Sequence, residues 1–400
     1  MLLALALLLA ESPPDGALYN RARANMANVL SHQPNYVCIE TIDRSERMKP
    51  KAKFEIIDSL RFEVAFVDKR EMYAWPGAKK FDENSSILDM VPDGAAIATG
   101  AFAGHAQYLF RSNVAVVKAG DWVEEGGKRY ARYPFTVPPD LSRYVLMKSR
   151  KDSAVVGYSG DVRIDPASAM VTRIALHADA IPERLDIGKT DTLIEYGAAK
   201  IADREFWLPS RSVEEITSLL GRTDRNVTLF SDCHAFTGES TLRFDDGPAA
   251  DLTAAQPVKV IDLPPGIWFD IQLDEPVDSA KIHVGDMVPA TLATDIKQKG
   301  LVLFPKGSAV EFRLVRFQRR QESLTFEFAA GEVTSRTAAA RLTAIPDSTL
   351  RTRTGVGGAP QWYGDARRPG IAVAFIRGGR LTFRKGFRFS WYTTAAAVKE

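Results

Sequence analysis

The sequence predicts a mainly β chain. Its first domain is of α+β type, a curved antiparallel half-barrel with helices on one face, and a small β-barrel domain follows. Three observations predict this. Period-2 alternation of apolar and polar residues recurs from Tyr36 to the end of the chain, the mark of half-buried strands. Helical periodicity is confined to two stretches near the start, 15–31 and 94–110. Turn-forming Gly, Pro and Asp residues separate the strand runs throughout.

The chain has 400 residues, 45% of them hydrophobic and 26% charged, which is ample for a buried core. At ~150 residues per domain, about two or three domains are expected. A net charge of +2 argues against a whole-chain nucleic-acid binder. The charge is uneven. Residues 351–400 hold 10 Lys and Arg against 2 Asp and Glu, whereas the first 350 hold 42 against 48. Such asymmetry predicts a basic face near the C-terminus.

The first ten residues, MLLALALLLA, match the apolar core of a secretory signal peptide, with Ala10 as cleavage residue. They are too short to span a bilayer, which needs ~20 residues. No Lys or Arg precedes them and Leu8 stands at position −3; a start site placed too late accounts for the missing basic end. No later uncharged run reaches membrane-spanning length. The expectation is a periplasmic or secreted protein. Its two cysteines, Cys38 and Cys233, then sit in an oxidising space where they can pair. A bridge closes a loop of ~195 residues, for which chain entropy gives roughly 4–5 kcal/mol. Two separate buried thiols are the alternative.

Asp15 to Ser31 reads as the first helix, with Asp15 as cap and Leu18, Ala22, Met26, Val29 and Leu30 on one face. Pro34 ends it and Tyr36–Ile42 begins the first strand. Residues 54–67 form the next, with Leu60, Phe62, Val64 and Phe66 sharing a face. Residues 84–93 read as a loop or short helix, and 94–110 as a second helix weakened by Gly94, Gly100 and Gly104. Strands are then expected at 114–118, 121–125, 128–137, 142–149, 153–164, 170–179, 191–202, 205–217 and 225–236. The hairpin Val155–Asp179 turns at Asp165-Pro166, where Pro166 fixes φ and the Asp165 side chain caps the turn. This domain runs over 15–247. Residues 248–262, rich in Ala, Pro and Asp, make a linker. The second domain, 263–400, carries strands at 267–273, 287–292, 301–304, 309–319, 323–333, 340–345, 371–376 and 381–393, with a long loop at 348–370.

The helix-first order and the hairpin GYSGDVRIDPASAMVTRIAL resemble the LolA/LolB-like group of cell-envelope proteins over residues 15–245. That resemblance implies an open half-barrel wrapped around helices, holding lipid acyl chains or sensing envelope ligands. Residues 263–345 resemble the β-barrel domain of outer-ring scaffold proteins in type IV secretion. The shared pattern is a Pro-Gly start, Val284-Gly285-Asp286 before a strand, Gly300, and Phe304-Pro305-Lys306-Gly307 at a turn. The combination resembles exported proteins of environmental bacteria. Neither resemblance carries over a functional residue.

No chemistry-bearing motif stands out. The five histidines, His32, His105, His177, His234 and His283, include no helical i, i+3 or i, i+4 pair, so no metal site is expected. His105 reads as a structural histidine. Cys233 and His234 are neighbours on a strand and point to opposite faces, which argues against a nucleophile–base pair. No G-x-S-x-G elbow or phosphate loop is present. Asp161 and Asp165 share a strand face and read as solvent and turn residues rather than an acid–base pair. In the segment 381–391, Leu381, Phe383, Phe387, Phe389 and Trp391 fall on one face and Arg384 and Arg388 on the other. That is a core strand with a wet basic face rather than a nucleic-acid grip.

The functional expectation is a non-enzymatic envelope protein without a cofactor, binding a lipid or other hydrophobic ligand in the first domain. The alternative is an assembly module whose second barrel contacts envelope proteins. A peripheral contact of the basic C-terminal region with an anionic membrane accompanies either. An open concave face separates the first reading from the second, in which that face is filled by its own helices.

Overall fold

The computed structural model describes residues 12–67, 70–78, 81, 87–91, 96–97, 99–149, 151–236, 259–320, 322–347, 361–364 and 368–395. The expected signal segment 1–10, the linker up to residue 258 and most of the loop 348–370 lie outside them.

Helix α1 (Gly16–His32) opens the chain, with Asp15 Oδ1 accepting from the Leu18 N–H at 2.9 Å. It buries Leu18, Ala22, Met26 and Leu30. Strands β1 (Tyr36–Arg47), β2 (Glu55–Val67) and β3 (Arg70–Ala74) follow. The short helices α2 (Ile87–Met90) and α3 (Gly104–Arg111) come next. Helix α3 is shorter than the expected 94–110. Gly100 has φ +96°, and residues 101–103 form a turn ahead of the helix. The strands β4 (Val116–Val117), β5 (Asp121–Glu125), β6 (Lys128–Val137), β7 (Tyr144–Ser149), β8 (Asp152–Asp165), β9 (Met170–Asp179), β10 (Ile187–Ile201), β11 (Arg204–Ser218) and β12 (Thr223–Ala235) complete the unit.

These strands form one curled, twelve-stranded antiparallel sheet in the order β3-β2-β1-β12-β11-β10-β9-β8-β6-β4, with β5 on β6 and β7 on β8. The first-to-last pairing β1–β12 brings the ends of the unit together and sets Cys38 beside Cys233, which are bonded with a Cα separation of 4.1 Å. The β8–β9 hairpin turns as expected, with Asp165 Oδ1 accepting from the N–H groups of Ala167 and Ser168 at 2.9 Å each. Strand β10 begins at Ile187, ahead of the expected 191–202. The chain reverses earlier, at 180–186, where Ala180 and Asp186 take φ +50° and +58°.

The second unit contains β13 (Lys259–Val260), β14 (Trp268–Leu273), β15 (Val277–Asp278), β16 (Ala290–Leu292), β17 (Ile296–Gln298), β18 (Leu301–Phe304), β19 (Ala309–Arg320), β20 (Ser323–Thr334), β21 (Ala338–Arg341), β22 (Ala344–Pro346), β23 (Gln361–Gly364), β24 (Ile371–Arg377), β25 (Thr382–Phe383) and β26 (Arg388–Thr393). The order β24-β20-β19-β16-β14-β26-β22 curls until the Gly370 N–H reaches Ala344 O at 2.6 Å, closing a small barrel. Phe312, Phe326, Phe328, Phe383, Phe389 and Trp391 fill it. The expected strand 381–393 is broken into β25 and β26 by a turn at Gly386, φ +79°.

The units touch along β2. The Arg61 N–H donates to Val284 O at 2.7 Å and the Val284 N–H to Ser59 O at 2.8 Å. Gly285, at φ +105°, lies so close that an added Cβ would sit 2.2 Å from Arg61 O and 2.7 Å from the Trp75 ring.

Candidate functional site

Strand register decides what the concave face of the first sheet contains. Asp58, Arg44, Asn226, Glu214 and Thr192 stand directly opposite one another on β2, β1, β12, β11 and β10. They form a polar row across five strands, and none is more than 5% exposed. The adjacent row is Leu60, Ile42, Thr228, Ser212, Ile194, Ile174 and Val162. Beyond it lie Phe62, Glu40 and Phe230. Arg44 grips Asp58 with two parallel hydrogen bonds of 2.7 and 2.6 Å, the strong bidentate geometry of a guanidinium on a carboxylate. Asn226 Nδ2 donates to Ala96 O, and the Ala96 N–H donates to Asp224 Oδ2, both at 3.2 Å, so residue 96 is pinned over the row.

Two further buried carboxyls on this face have no basic partner of this kind among the described residues. Burial, with the nearby Glu71 carboxylate adding to it, pushes Glu214 up to about 8. Burial, then Glu71 and Glu214, holds Glu40 well above the carboxylate range. Glu40 Oε2 has no hydrogen-bond partner among the described residues. Glu214 is therefore mostly protonated at pH 7. Glu71, on β3, caps α3 instead. Its Oε1 accepts from the N–H groups of Ala103 and Gly104 at 2.8 and 3.0 Å, and its Oε2 from Gly100 N–H at 3.2 Å and Tyr73 Oη at 2.9 Å. The cap fixes α3 over the sheet and places His105 beneath it. Burial lowers the His105 pKa, so the ring is neutral; it stands edge-on to Tyr144 with centroids 5.6 Å apart. Tyr144 Oη in turn reaches Thr190 Oγ1 at 3.4 Å.

The cover is closed where it is described. Phe102, Ala106, Leu109 and Phe110 are all buried with the α1 stripe. The Phe102 ring lies 5.0 Å from Tyr36 and 5.3 Å from Phe230. A shallow groove remains outside, between α1 and α3, lined by Asn20, Arg23, Ala24, Ala27, Phe110 and Arg111. The Arg and Glu residues of the long strands lie mostly on the convex face, in pairs such as Arg225–Glu215 and Arg211–Glu195.

The residues singled out in the sequence do not converge. Cys38 and Cys233 form the disulfide. His234 lies next to it, with Nδ1 3.0 Å from Asp232 O. Asp165 serves the turn, while Asp161 is raised by burial against the pull of Arg132 and Arg173. Among the described residues no group of three metal-ligating side chains occurs. Arg384 and Arg388 are exposed and Phe383, Phe389 and Trp391 buried, as the alternation predicts. With Arg377, Arg380 and Lys385 they form a basic end of the barrel, where Arg380 pairs with Asp278 at 2.8 Å. Sequence reading missed Glu40, Arg44 and Glu214. The available signal was parity, since Glu40 and Arg44 share a strand face with Tyr36, Cys38 and Ile42.

A second surface stands out on the β7–β8 hairpin. Leu146 and Val156 turn inward onto Leu185, whereas Val145, Met147 and Val155 are exposed beside Arg143, Lys148 and Lys151.

No protein-family model matches the chain, and no curated protein matches it. Among solved structures, a LolA superfamily protein from Nitrosomonas europaea aligns over 55% of this chain and 93% of its own, at 10% identity and a TM-score of 0.29. MucB in complex with MucA(peri) aligns over 91% of this chain and 98% of its own, at 11% identity and a TM-score of 0.18.

Proposed function

We propose that the protein is a non-enzymatic, exported cell-envelope module that acts through docking surfaces and not through an open lipid cavity. One observation carries the reading: among the described residues the concave face of the first sheet is filled. Helix α1, residues 101–103 and α3 cover it among the described residues, and the row from Asp58 to Thr192, with residue 96 pinned over it, makes part of that face polar. An acyl chain laid there would strip hydrogen-bonding groups without replacing their partners, at about 1–3 kcal/mol for each. The perturbed acids Glu40 and Glu214 are sealed from solvent, so they offer a substrate no approach. Export fits the Cys38–Cys233 bond, because structural disulfides persist in oxidising compartments. The organisation is two units, 15–247 and 263–400. The partner-facing surfaces are the apolar face of the β7–β8 hairpin and the basic end of the barrel around Arg377, Arg384 and Lys385, which suits an anionic envelope surface.

One feature favours a lipid or hydrophobic ligand instead. The groove between α1 and α3 sets Ala24, Ala27 and Phe110 beside Arg23 and Arg111, an apolar floor with a cationic rim suited to an amphiphile. Organic extraction of the envelope-exported protein followed by mass spectrometry separates the two readings. A protein that stays clean after incubation with envelope lipids supports docking. A stoichiometric amphiphile overturns it in favour of the carrier.

A further inference from the structure

The second barrel carries an aromatic platform that its fold does not need. Trp268 is 59% exposed, yet its neighbours on β14 are core residues: Phe269 is 2% exposed and Ile271 0%. Its ring packs against Tyr392 of β26, with centroids 5.0 Å apart. Side chains on one strand face repeat every ~6.8 Å, and the next outward positions are polar and already ordered. Ser390 Oγ donates to Asp270 Oδ1 at 2.5 Å, and Asp270 takes its backbone bond to Thr294 Oγ1 at 2.9 Å. One step further, Gln272 Nε2 reaches Thr291 Oγ1 at 3.5 Å, and Thr291 Oγ1 donates to Asp274 Oδ1 at 2.9 Å.

We propose that the outward face of β14, β16 and β26, from Trp268 and Tyr392 through Asp270 and Ser390 to Gln272 and Thr291, binds a neutral glycan. A pyranose ring has an apolar C–H face that stacks on an aromatic ring, and a rim of hydroxyls that both donate and accept. The platform supplies the first partner. The carboxylate, hydroxyl and amide groups beside it supply the second. Charge selects among occupants. The face is of mixed charge, with Asp270 and Asp274 on one side and Arg388 of β26 opposite Gln272, which suits a neutral ligand better than a run of phosphates. A protein partner would want its aromatic anchor ringed by groups that exclude water, whereas here a solvated polar row follows the ring. The ordered hydrogen bonds hold the row in place before any ligand arrives, so little ordering entropy is lost on binding.

Titration calorimetry of the whole chain with cellohexaose and chitohexaose tests the proposal, with a heparin hexasaccharide and anionic phosphatidylglycerol vesicles as the competing probes. At least one neutral glycan should bind. Trp268→Ala should weaken it by about ten-fold or more, the scale of one lost stacking ring, and Trp268→Phe should restore part of the affinity. Asp270→Ala should also weaken binding. Thermal unfolding should be unchanged in the two Trp268 variants, whose side chain faces solvent, and should fall only slightly in Asp270→Ala, which loses the Ser390 hydrogen bond. Binding of neither glycan, binding indifferent to Trp268→Ala, or binding of heparin or vesicles alone would each overturn the assignment.

Discussion

Glu214 makes a quantitative test of the polar row on the concave face. Its carboxyl is pushed up to about 8 from an ordinary 4.5, chiefly by burial and secondarily by Glu71. The native state therefore keeps a proton that the unfolded chain releases. Stability from this group is fully present below the unfolded value and falls as pH rises towards the folded one. At about 1.36 kcal/mol per pH unit, the whole interval is worth at most about 5 kcal/mol, and about 3 kcal/mol of it is already lost at pH 7. Glu214→Gln preserves the shape and hydrogen-bonding capacity of the neutral acid and removes the titration. The variant should match the wild type near pH 4.5 and exceed it by about 3 kcal/mol at pH 7. A shallower slope should survive in the variant, since Glu40 is raised by burial as well. Urea unfolding at pH 4.5, 6 and 7.5, followed by circular dichroism and fluorescence, measures this. Parallel loss of stability in the two proteins between pH 5 and 8 would refute the neutral-acid assignment, as would a glutamine variant that is the weaker at pH 7.5.

Other features make further predictions. Reducing the Cys38–Cys233 bond, which closes 195 residues, should lower unfolding free energy by up to about 5 kcal/mol, read as a fall in urea midpoint with dithiothreitol; an unchanged midpoint refutes the estimate. Arg44→Met strands the Asp58 charge in the core and should cost about 3–5 kcal/mol, whereas the double change with Asp58→Leu should recover most of it. Glu71→Ala removes the acceptor of three N–H groups and should cost about 1–2 kcal/mol. Hydrogen exchange should accelerate first in residues 100–111, and uniform acceleration across the sheet would contradict the local role. Gly285→Ala adds a Cβ 2.2 Å from Arg61 O at a left-handed φ. It should split a single unfolding transition into two, because the clash falls between the units.

Strands that alternate were legible because period-2 burial is written into each segment separately. Phe62, Val64 and Phe66 read as one face, and they are one face. The polar row was not legible, because its members come from positions 44, 58, 192, 214 and 226 and meet only through the register of four strand pairs. No local pattern reports a register set by distant partners. Helix α3 was overestimated for a related reason. Its apolar spacing continues backwards through Ile97, but its start is fixed by Glu71, distant in sequence. The start of β10 was missed in another way: the strand begins at Ile187, before the expected 191–202, and the reversal ahead of it relies on Ala180 and Asp186 in the left-handed region.

The Val284-Gly285-Asp286 stretch does more than begin a strand of the second barrel. Val284 pairs with Leu60, and both are fully buried. Asp286 takes Arg61 at 2.9 Å. Burial would raise this carboxyl, but hydrogen bonds from His283 and the charge of Arg61 hold it below the usual range. Arg313, on the outward face of β19 between the core residues Phe312 and Leu314, donates to Pro76 O at 2.9 Å. The apolar core is therefore continuous from the helices over the first sheet to the aromatic centre of the second. On the proposed docking reading, such a joint couples the first sheet to the barrel, and avidity depends on a geometry that lets the β7–β8 hairpin and the barrel surfaces engage together. A carrier that opened its first sheet to admit a lipid would have to move α1 and α3 while β2 stayed locked to the barrel. That restricts any opening to the β8–β10 side of the sheet, where the α1 residue Asn25 is bonded to Ala169 O at 3.1 Å. Asn25→Ala should loosen that side alone, seen as faster hydrogen exchange in α1 with β1 and β2 unaffected.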